Sequence, residues 1–243
     1  MKIDILTLFP GLFSDFINTS ILKRAIDKGL IDINTINIRD YSKDKHKKVD
    51  DYTYGGGPGM VMTPQPIYDA YKSIDIKEIE SPCIYLSPQG KLFNQKMARE
   101  FSQYPHLIFL CGHYEGIDQR VIDKIVTHEV SIGDYILTGG ELPTMVIIDT
   151  ISRLVPGILG NQDSPHDDSF SHGLLEYPQY TRPYDFMGEK VPDILLSGDH
   201  QKIREWRRVK SLLNTREKRP KLFENYNLTD EEKKFLRKHG ENN

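Results

Sequence analysis

Nothing in the 243 residues approaches the ~20 consecutive apolar positions that a membrane-spanning helix needs. The opening segment, Met1 to Pro10, lacks a basic stretch and a small-residue cleavage site. It reads as a first strand rather than a secretory signal, and the protein is expected in the cytoplasm, away from membranes. Cysteine is scarce. Cys83 and Cys111 are too few for a disulfide framework, and no cysteine–histidine spacing suggests zinc. Each sits at one end of an apolar run, where the two could neighbour each other; reduced core thiols are expected. No G-x-G-x-x-G follows a strand, and Gly55 to Gly59 lacks the Gly-Lys-Ser/Thr of a phosphate loop. There is no G-x-S-x-G, no paired-histidine metal motif, no internal repeat and no low-complexity tract. Dinucleotide binding of the usual kind, serine hydrolysis and zinc chemistry are left without support, and no metal ligands are assigned.

What is present describes a globular chain of one or two domains, 38% hydrophobic and 28% charged. Its net charge of −3 is uneven. Residues 199–243 carry 13 Lys and Arg against 8 Asp and Glu, hence +5, which leaves −8 for residues 1–198. A basic tail on an acidic body fits a polyanionic partner; it fits a solvated helical face equally well.

The order of elements is α/β. Ile3 to Phe9 reads as a buried strand stopped by Pro10-Gly11. Short helices follow to Ile26, with Ser20 as a candidate cap and Gly29 as the stop. Ile31 to Ile38 is β-rich, but its alternation slips at Asn34-Thr35, which predicts a bulge. Residues 39–60 form a long polar loop holding Arg39, Lys43 to Lys48, Tyr52 and Tyr54, suited to RNA or simply mobile. Then strands at Cys83–Ser87 and Leu107–Cys111 alternate with helices at Asn94–Gln103 and Ile117–Ile125. That rhythm predicts a mostly parallel sheet flanked by helices.

Ligands of such sheets sit beyond the carboxyl ends of the strands. Three glycine- or proline-bearing loops fall there, at 87–90, 112–116 and 131–140. Ser131-Ile132-Gly133-Asp134-Tyr135-Ile136-Leu137-Thr138-Gly139-Gly140-Glu141-Leu142-Pro143 is the densest of them and opens a helix over 141–155. Glycine spacing alone also fits a tight strand-to-helix connection; the convergence of three loops favours a small-molecule site. Bulk at Gly140 is expected to block a ligand more than it harms folding. Residues 160–171 read as a polar, acidic linker, mobile until RNA binds. Domains are therefore expected over 1–159 and 172–243, the second smaller, helical and basic. Ile203, Trp206, Val209, Leu212 and Leu213 mark a helix in it, with Trp206 expected in the core rather than stacked on a base. Thr229 with Glu232 makes a capping box for a last helix.

Several runs, in order and nearly end to end, closely resemble the bacterial tRNA (guanine-N1)-methyltransferases. They are Leu8-Phe9-Pro10, Tyr54 to Met60, Leu86-Ser87-Pro88-Gln89-Gly90, Cys111 to Gly116, Ser131 to Tyr135, Leu137 to Glu141, Asp168-Ser169-Phe170 and Tyr180-Thr181-Arg182-Pro183. The resemblance implies a SPOUT-type enzyme whose sheet is threaded into a deep trefoil knot. It implies a homodimer with composite active sites, and methyl transfer from S-adenosylmethionine to N1 of guanosine 37 in tRNA. Mg²⁺ stays open as an activator without assigned ligands.

Position by position, the resemblance places the cofactor at Tyr85, Leu86, Ser87, Pro88, Gly112, Ser131, Ile132, Gly133, Asp134, Tyr135, Ile136, Leu137, Gly139, Gly140 and Pro143. Asp168 matches the proposed general base and Arg153 its catalytic partner. Glu115, with Tyr114 beside it, matches a carboxylate near the target guanine. Ser169, Arg207, Arg208 and Lys210 are candidate RNA contacts; so is Glu176, which stands where some members carry aspartate. The chemistry suits these roles. Guanine N1 is a poor nucleophile while protonated, and a carboxylate in reach can take that proton. Charge then builds on O6, where an arginine or bound cation stabilises it. Taken singly, Asp168 could be a solvated linker acid, Arg153 a charge at a helix end, Glu115 the cap of the next helix and His113 a structural residue. A knotted enzyme acting on a ribose hydroxyl, or an RNA-binding protein that senses S-adenosylmethionine without turnover, would share many of these features.

Overall fold

The computed structural model describes residues 1–76, 81–159, 168–170 and 172–240. The chain divides into two compact units, Met1–Gln162 and Asp163–Asn243.

In the first unit the strands are β1 (Lys2–Thr7), β2 (Asp32–Asn37), β3 (Asp50–Asp51), β4 (Val61–Met62), β5 (Cys83–Leu92), β6 (His106–Cys111) and β7 (His128–Ser131). The helices are α1 (Ser14–Ile17), α2 (Ser20–Asp27), α3 (Pro64–Lys72), α4 (Gln95–Phe101), α5 (Gln119–Ile125) and α6 (Glu141–Ser152). Five strands form one sheet in the order β2-β1-β6-β5-β7, and every pairing in it is parallel. Both faces are covered, so the central strands are apolar throughout rather than alternating. Leu107, Phe109 and Cys111 face one cluster with Met97, Phe101, Ile147 and Ile151. Ile108 and Leu110 face the other with Ile67, Ala70, Val121 and Ile125. A fully buried Leu, Ile or Phe contributes about 1.5–3 kcal/mol.

Double coverage also explains β2. No bulge exists at Asn34-Thr35; the register with β1 runs unbroken from Lys2↔Asp32 to Thr7↔Asn37. Ile33 packs on one cluster and Ile36 on the other, while Asn34 donates to the buried Asp4 carboxylate at 2.9 Å. The slip in alternation is a strand serving two faces. Ser20 does not cap α2 either: Thr19 holds that position, without a side-chain cap. Gly29, at φ +67°, does follow the helix in the left-handed form. The cysteines are free and buried, on opposite faces of the sheet, which keeps their sulfurs apart. Burial pushes the Cys83 thiol up to about 12 and raises Cys111 as well.

The second unit carries a short hairpin, β8 (Asp185–Phe186) with β9 (Glu189–Lys190), then α7 (His200–Lys218), α8 (Pro220–Glu224) and α9 (Asp230–Gly240). The capping box is formed in full. Thr229 N donates to Glu232 Oε2 at 2.8 Å, and Glu232 N to Thr229 Oγ1 at 3.2 Å. Of the linker expected over 160–171, residues 160–167 and 171 lie outside the described residues. No described helix is long and apolar enough to cross a membrane.

Candidate active site

The carboxyl ends of β5, β6 and β7 surround a cavity of about 390 Å³. β5 does not simply turn at Pro88-Gln89-Gly90. Leu86 and Lys91 both pair with Val130, so residues 87–90 leave the ladder as a bulge and the strand resumes beyond it. That bulge brings Ser87 and Pro88 to the cavity beside Tyr85 and Leu86. The loop after β6 contributes Gly112, Tyr114 and Glu115; β7 contributes its last residue, Ser131, and the loop after it Ile132, Gly133, Tyr135, Ile136, Leu137, Gly139 and Gly140; α6 contributes Pro143. Asp134 alone of the expected cofactor positions is not on the wall; it is exposed within the loop. Gln89, His113, Gly116, Val130 and Thr138 also line the cavity and were not among the expected cofactor positions.

Close approach of main chains holds the loops together. Gly140 N donates to Gly112 O at 2.8 Å, and His113 bridges Gly139. A Cβ on Gly140 would lie 2.8 Å from Cys111 Cα, and one on Gly90 only 2.3 Å from Val130 N. Both glycines are therefore required by the fold. Bulk at Gly140 thus harms folding as well as ligand binding, because the collision is with the protein's own backbone.

Polar groups are few and fixed. Glu141, at the first turn of α6, is buried and accepts from Thr7 Oγ1 at 2.8 Å; a carboxylate is favoured at a helix start. Burial, with help from Glu129, raises the Tyr85 hydroxyl to about 12, so it stays protonated. His113 Nδ1 is buried without a hydrogen-bond partner, and its ring is held edge-on by Phe9 and Tyr114. Tyr114 itself is strained at φ +59°, a conformation that clusters at functional sites. Glu115 does not cap α5. Asp118 does, accepting from Arg120 N at 3.0 Å. Glu115 is left exposed at the cavity, with its amide donating to Met60 O at 3.0 Å. The glycine-rich part of the 39–60 loop is thereby tied to the site, and a Cβ on Gly59 would sit 2.4 Å from the Glu115 side chain.

Arg153 is half-buried at the C-terminal cap of α6, where a cation complements the helix dipole. It does not line the cavity. At the ~1.5 Å rise of a helical residue, α6 separates its two ends by ~18 Å.

In the second unit, Asp168 lines a cavity of about 280 Å³ with Glu176, Tyr177, Arg204, Arg207 and Arg208. Ser169 Oγ accepts from Glu176 N at 2.9 Å and so shapes that loop. The arginines of α7 are not one solvated face. Arg208 Nε donates to Glu232 Oε1 at 2.7 Å, and its other nitrogen bonds Tyr226. The Arg207 guanidinium lies 4.8 Å over the Tyr177 ring, and Lys210 Nζ lies 5.9 Å from the Trp206 ring centre. Trp206 is half-buried beside Tyr180 rather than in the core. Among the described residues, no group of three or more His, Cys, Asp or Glu could hold a metal ion.

A family model described as tRNA (Guanine-1)-methyltransferase TrmD matches residues 1–225. The chain belongs to the tRNA (guanine-1)-methyltransferase family. It is 57% identical over 237 residues to the tRNA (guanine-N(1)-)-methyltransferase of Geobacillus kaustophilus, covering 98% of this chain and 97% of that protein. It is 59% identical over 224 residues to the protein of that name from Ruminiclostridium cellulolyticum, covering 92% and 96%. The Clostridioides difficile protein of that name is 57% identical over 229 residues, covering 93% and 99%. For a member of the tRNA (guanine-1)-methyltransferase family, the first cavity offers what a methyl donor needs. Leu86, Pro88, Ile132 and Leu137 give apolar walls, and three loops present main-chain donors and acceptors between them.

Proposed function

We propose that the protein transfers a methyl group from S-adenosylmethionine to N1 of guanosine 37 in tRNA, beside the anticodon. The observation that carries this reading is the convergence of the 85–90, 112–116 and 131–143 segments, matched by the family model, on one cavity. The fit to the cofactor rests on the glycine-lined main-chain cradle, the apolar walls and the orphaned His113 Nδ1. Tyr85 to Pro88, Gly112, Ser131 to Gly133, Tyr135 to Leu137, Gly139, Gly140 and Pro143 would hold it. Bound there, S-adenosylmethionine supplies an electrophilic methyl on a sulfonium.

The chain's own residues do the rest. Asp168 accepts the N1 proton as the N1–C bond forms, leaving the carboxyl protonated and the methylated guanine uncharged. Arg153 offsets the negative charge that gathers on O6. Glu115 and Tyr114 orient the guanine, so that positioning supplies much of the rate. Residues 172–243, with Ser169, Glu176 and the basic positions of α7, hold the RNA. The working form is a homodimer in which Arg153 and Asp168 serve the cofactor cavity of the partner subunit. That arrangement agrees with the distance between Arg153 and the cavity of its own unit. It also agrees with exposed apolar side chains at Ile136, Leu142 and Val146, a surface a partner covers. A trefoil knot is part of the same reading and rests on the family alone. Mg²⁺ is an activator to be tested by chelation, and the cytoplasm is where tRNA is met.

The deciding experiment incubates the protein with labelled cofactor and unmodified tRNA, then maps the labelled nucleoside. N1-methylguanosine at position 37 is expected. A 2′-O-methylribose would assign the ribose reaction instead, and tight cofactor binding without transfer would assign a sensor.

A further inference from the structure

The second unit contains a larger cavity that methyl transfer does not use. It measures about 500 Å³ and lies between the 177–196 segment and the first half of α7. Tyr177, Tyr180, Tyr184 and Trp206 wall it, with Arg182 and Arg207 among its polar groups. The volume falls in the range of small-molecule sites, roughly 300–1,000 Å³. The Tyr180 and Trp206 rings stand 6.2 Å apart at 57°, so they are inclined to each other rather than stacked face to face. Tyr180 and Tyr184 remain 47% and 44% exposed, a poor outcome for rings meant only to fill a core. Arg207 Nε is buried with no hydrogen-bond partner. A donor in that state calls for an acceptor from outside.

These features suit a nucleobase. Its faces stack on aromatic rings, and its edge accepts from arginine. The charge is complementary to a nucleic acid: residues 199–221 hold 9 basic and 3 acidic side chains. Tyr177 and Arg207 also line the cavity of Asp168, so the two cavities share a wall.

We propose that this aromatic cavity receives one unpaired base of the RNA substrate, stacked against Tyr180 and Trp206 and hydrogen-bonded by Arg207. The assignment rests on the reading of tRNA as substrate. The shared wall makes the anchored base a close neighbour of the guanine presented to Asp168. The cavity thus adds a second grip, separate from phosphate contacts, that is available only where the RNA strand is unpaired.

Trp206 is the only tryptophan of the chain, so its emission reports this cavity alone. The full-length protein with S-adenosylmethionine is titrated with unmodified tRNA and with a short single-stranded oligoribonucleotide, and methyl transfer is measured in the same samples. Saturable quenching by both RNAs is expected. Tyr180→Ala should weaken tRNA binding roughly 5- to 150-fold, the worth of one base stack. Its affinity for S-adenosylmethionine should not change, and Tyr180→Phe should restore the parent's RNA affinity. Unquenched Trp206 at saturating tRNA, or parental affinity in Tyr180→Ala, overturns the proposal. So does emission that follows protein concentration without RNA, which would make the cavity a self-association surface. Failure of the parent to methylate tRNA defeats the substrate reading itself; transfer with a silent Trp206 defeats only the base-binding cavity.

Discussion

The two units build their cavities from different material. In the first, the walls are largely main chain: glycines let three loops touch, and few side chains carry charge. In the second, the walls are long side chains, with tyrosines, a tryptophan and arginines packed on one another. A main-chain cradle suits a small ligand of invariant shape, since its donors are fixed and cost little entropy to align. Walls of Tyr and Arg suit a polymer whose bases and phosphates arrive in variable poses. The difference teaches that substitutions should act differently in each: through backbone collision in the first unit, through lost contacts in the second.

The sharpest break is chemical. Asp168→Asn should reduce single-turnover methyl transfer by roughly 10²- to 10⁴-fold, because the amide cannot take the N1 proton. Calorimetry should find cofactor affinity unchanged, as the amide keeps the shape of the carboxyl and Asp168 is not among the residues that wall the first cavity. Near-normal transfer would remove it from the reaction. Next in size is Gly90→Ala. Its Cβ meets the Val130 backbone, which cannot swing aside, and overpacking of this kind costs about 1–3 kcal/mol or more. Thermal unfolding should show the loss, with cofactor affinity falling too; an unchanged melting temperature would mean the bulge is free to shift.

In the second unit, Arg208→Ala strips the hydrogen bonds to Glu232 and Tyr226 and should cost about 1–2 kcal/mol, since the arginine is partly solvated. Hydrogen exchange should place the loss in α7 and α9 and leave the sheet as before. Arg204→Ala, at an exposed position of the same cavity, should instead lower tRNA affinity and its salt dependence without touching stability.

The smallest effect is in acid. Burial alone would raise the Asp4 carboxyl, but hydrogen bonds from Asn34, Lys2 and His106 outweigh it and hold the group below its usual range. Glu232 is likewise lowered: burial opposes, while the Thr229 amide and Arg208 prevail. A depressed carboxylate adds stability that is complete above its unfolded value, near 4, and is lost as pH falls through the lower folded value. Unfolding should thus be flat from neutral pH down to about 5 and weaken below about 4. Asp4→Asn should blunt this in the first unit, and Glu232→Gln in the second; no change in either acid profile would discount both carboxylates.

What could be read in the chain beforehand follows interaction range. The Thr229–Glu232 box spans three residues and needs no partner from afar, so its pattern suffices. The apolar runs 83–86 and 107–111 announce buried parallel strands for the same reason. The Asn34-Thr35 slip misled because the deciding contact, Asn34 with Asp4, is 30 positions away. Ser20 misled by one position only, its neighbour Thr19 holding the cap and donating back to Asp15 O. The need for Gly90 and Gly140 depends on strands 40 and 29 positions away, respectively, at Val130 and Cys111. The bonds of Arg208, expected as an RNA contact, to Glu232 and Tyr226 could not be read locally, because those partners are 24 and 18 positions away.

α6 has a consequence of its own. One end of this rod carries Gly140 and Pro143 into the cavity of the first unit; the other carries Arg153. If both ends serve chemistry, the helix is a measuring stick whose length and phase matter together. One added residue would move Arg153 by ~1.5 Å and swing it by about 100°, turning its guanidinium to another side of the helix. Insertions should therefore be far less tolerable between positions 141 and 153 than in the 177–198 segment, whatever residue is added.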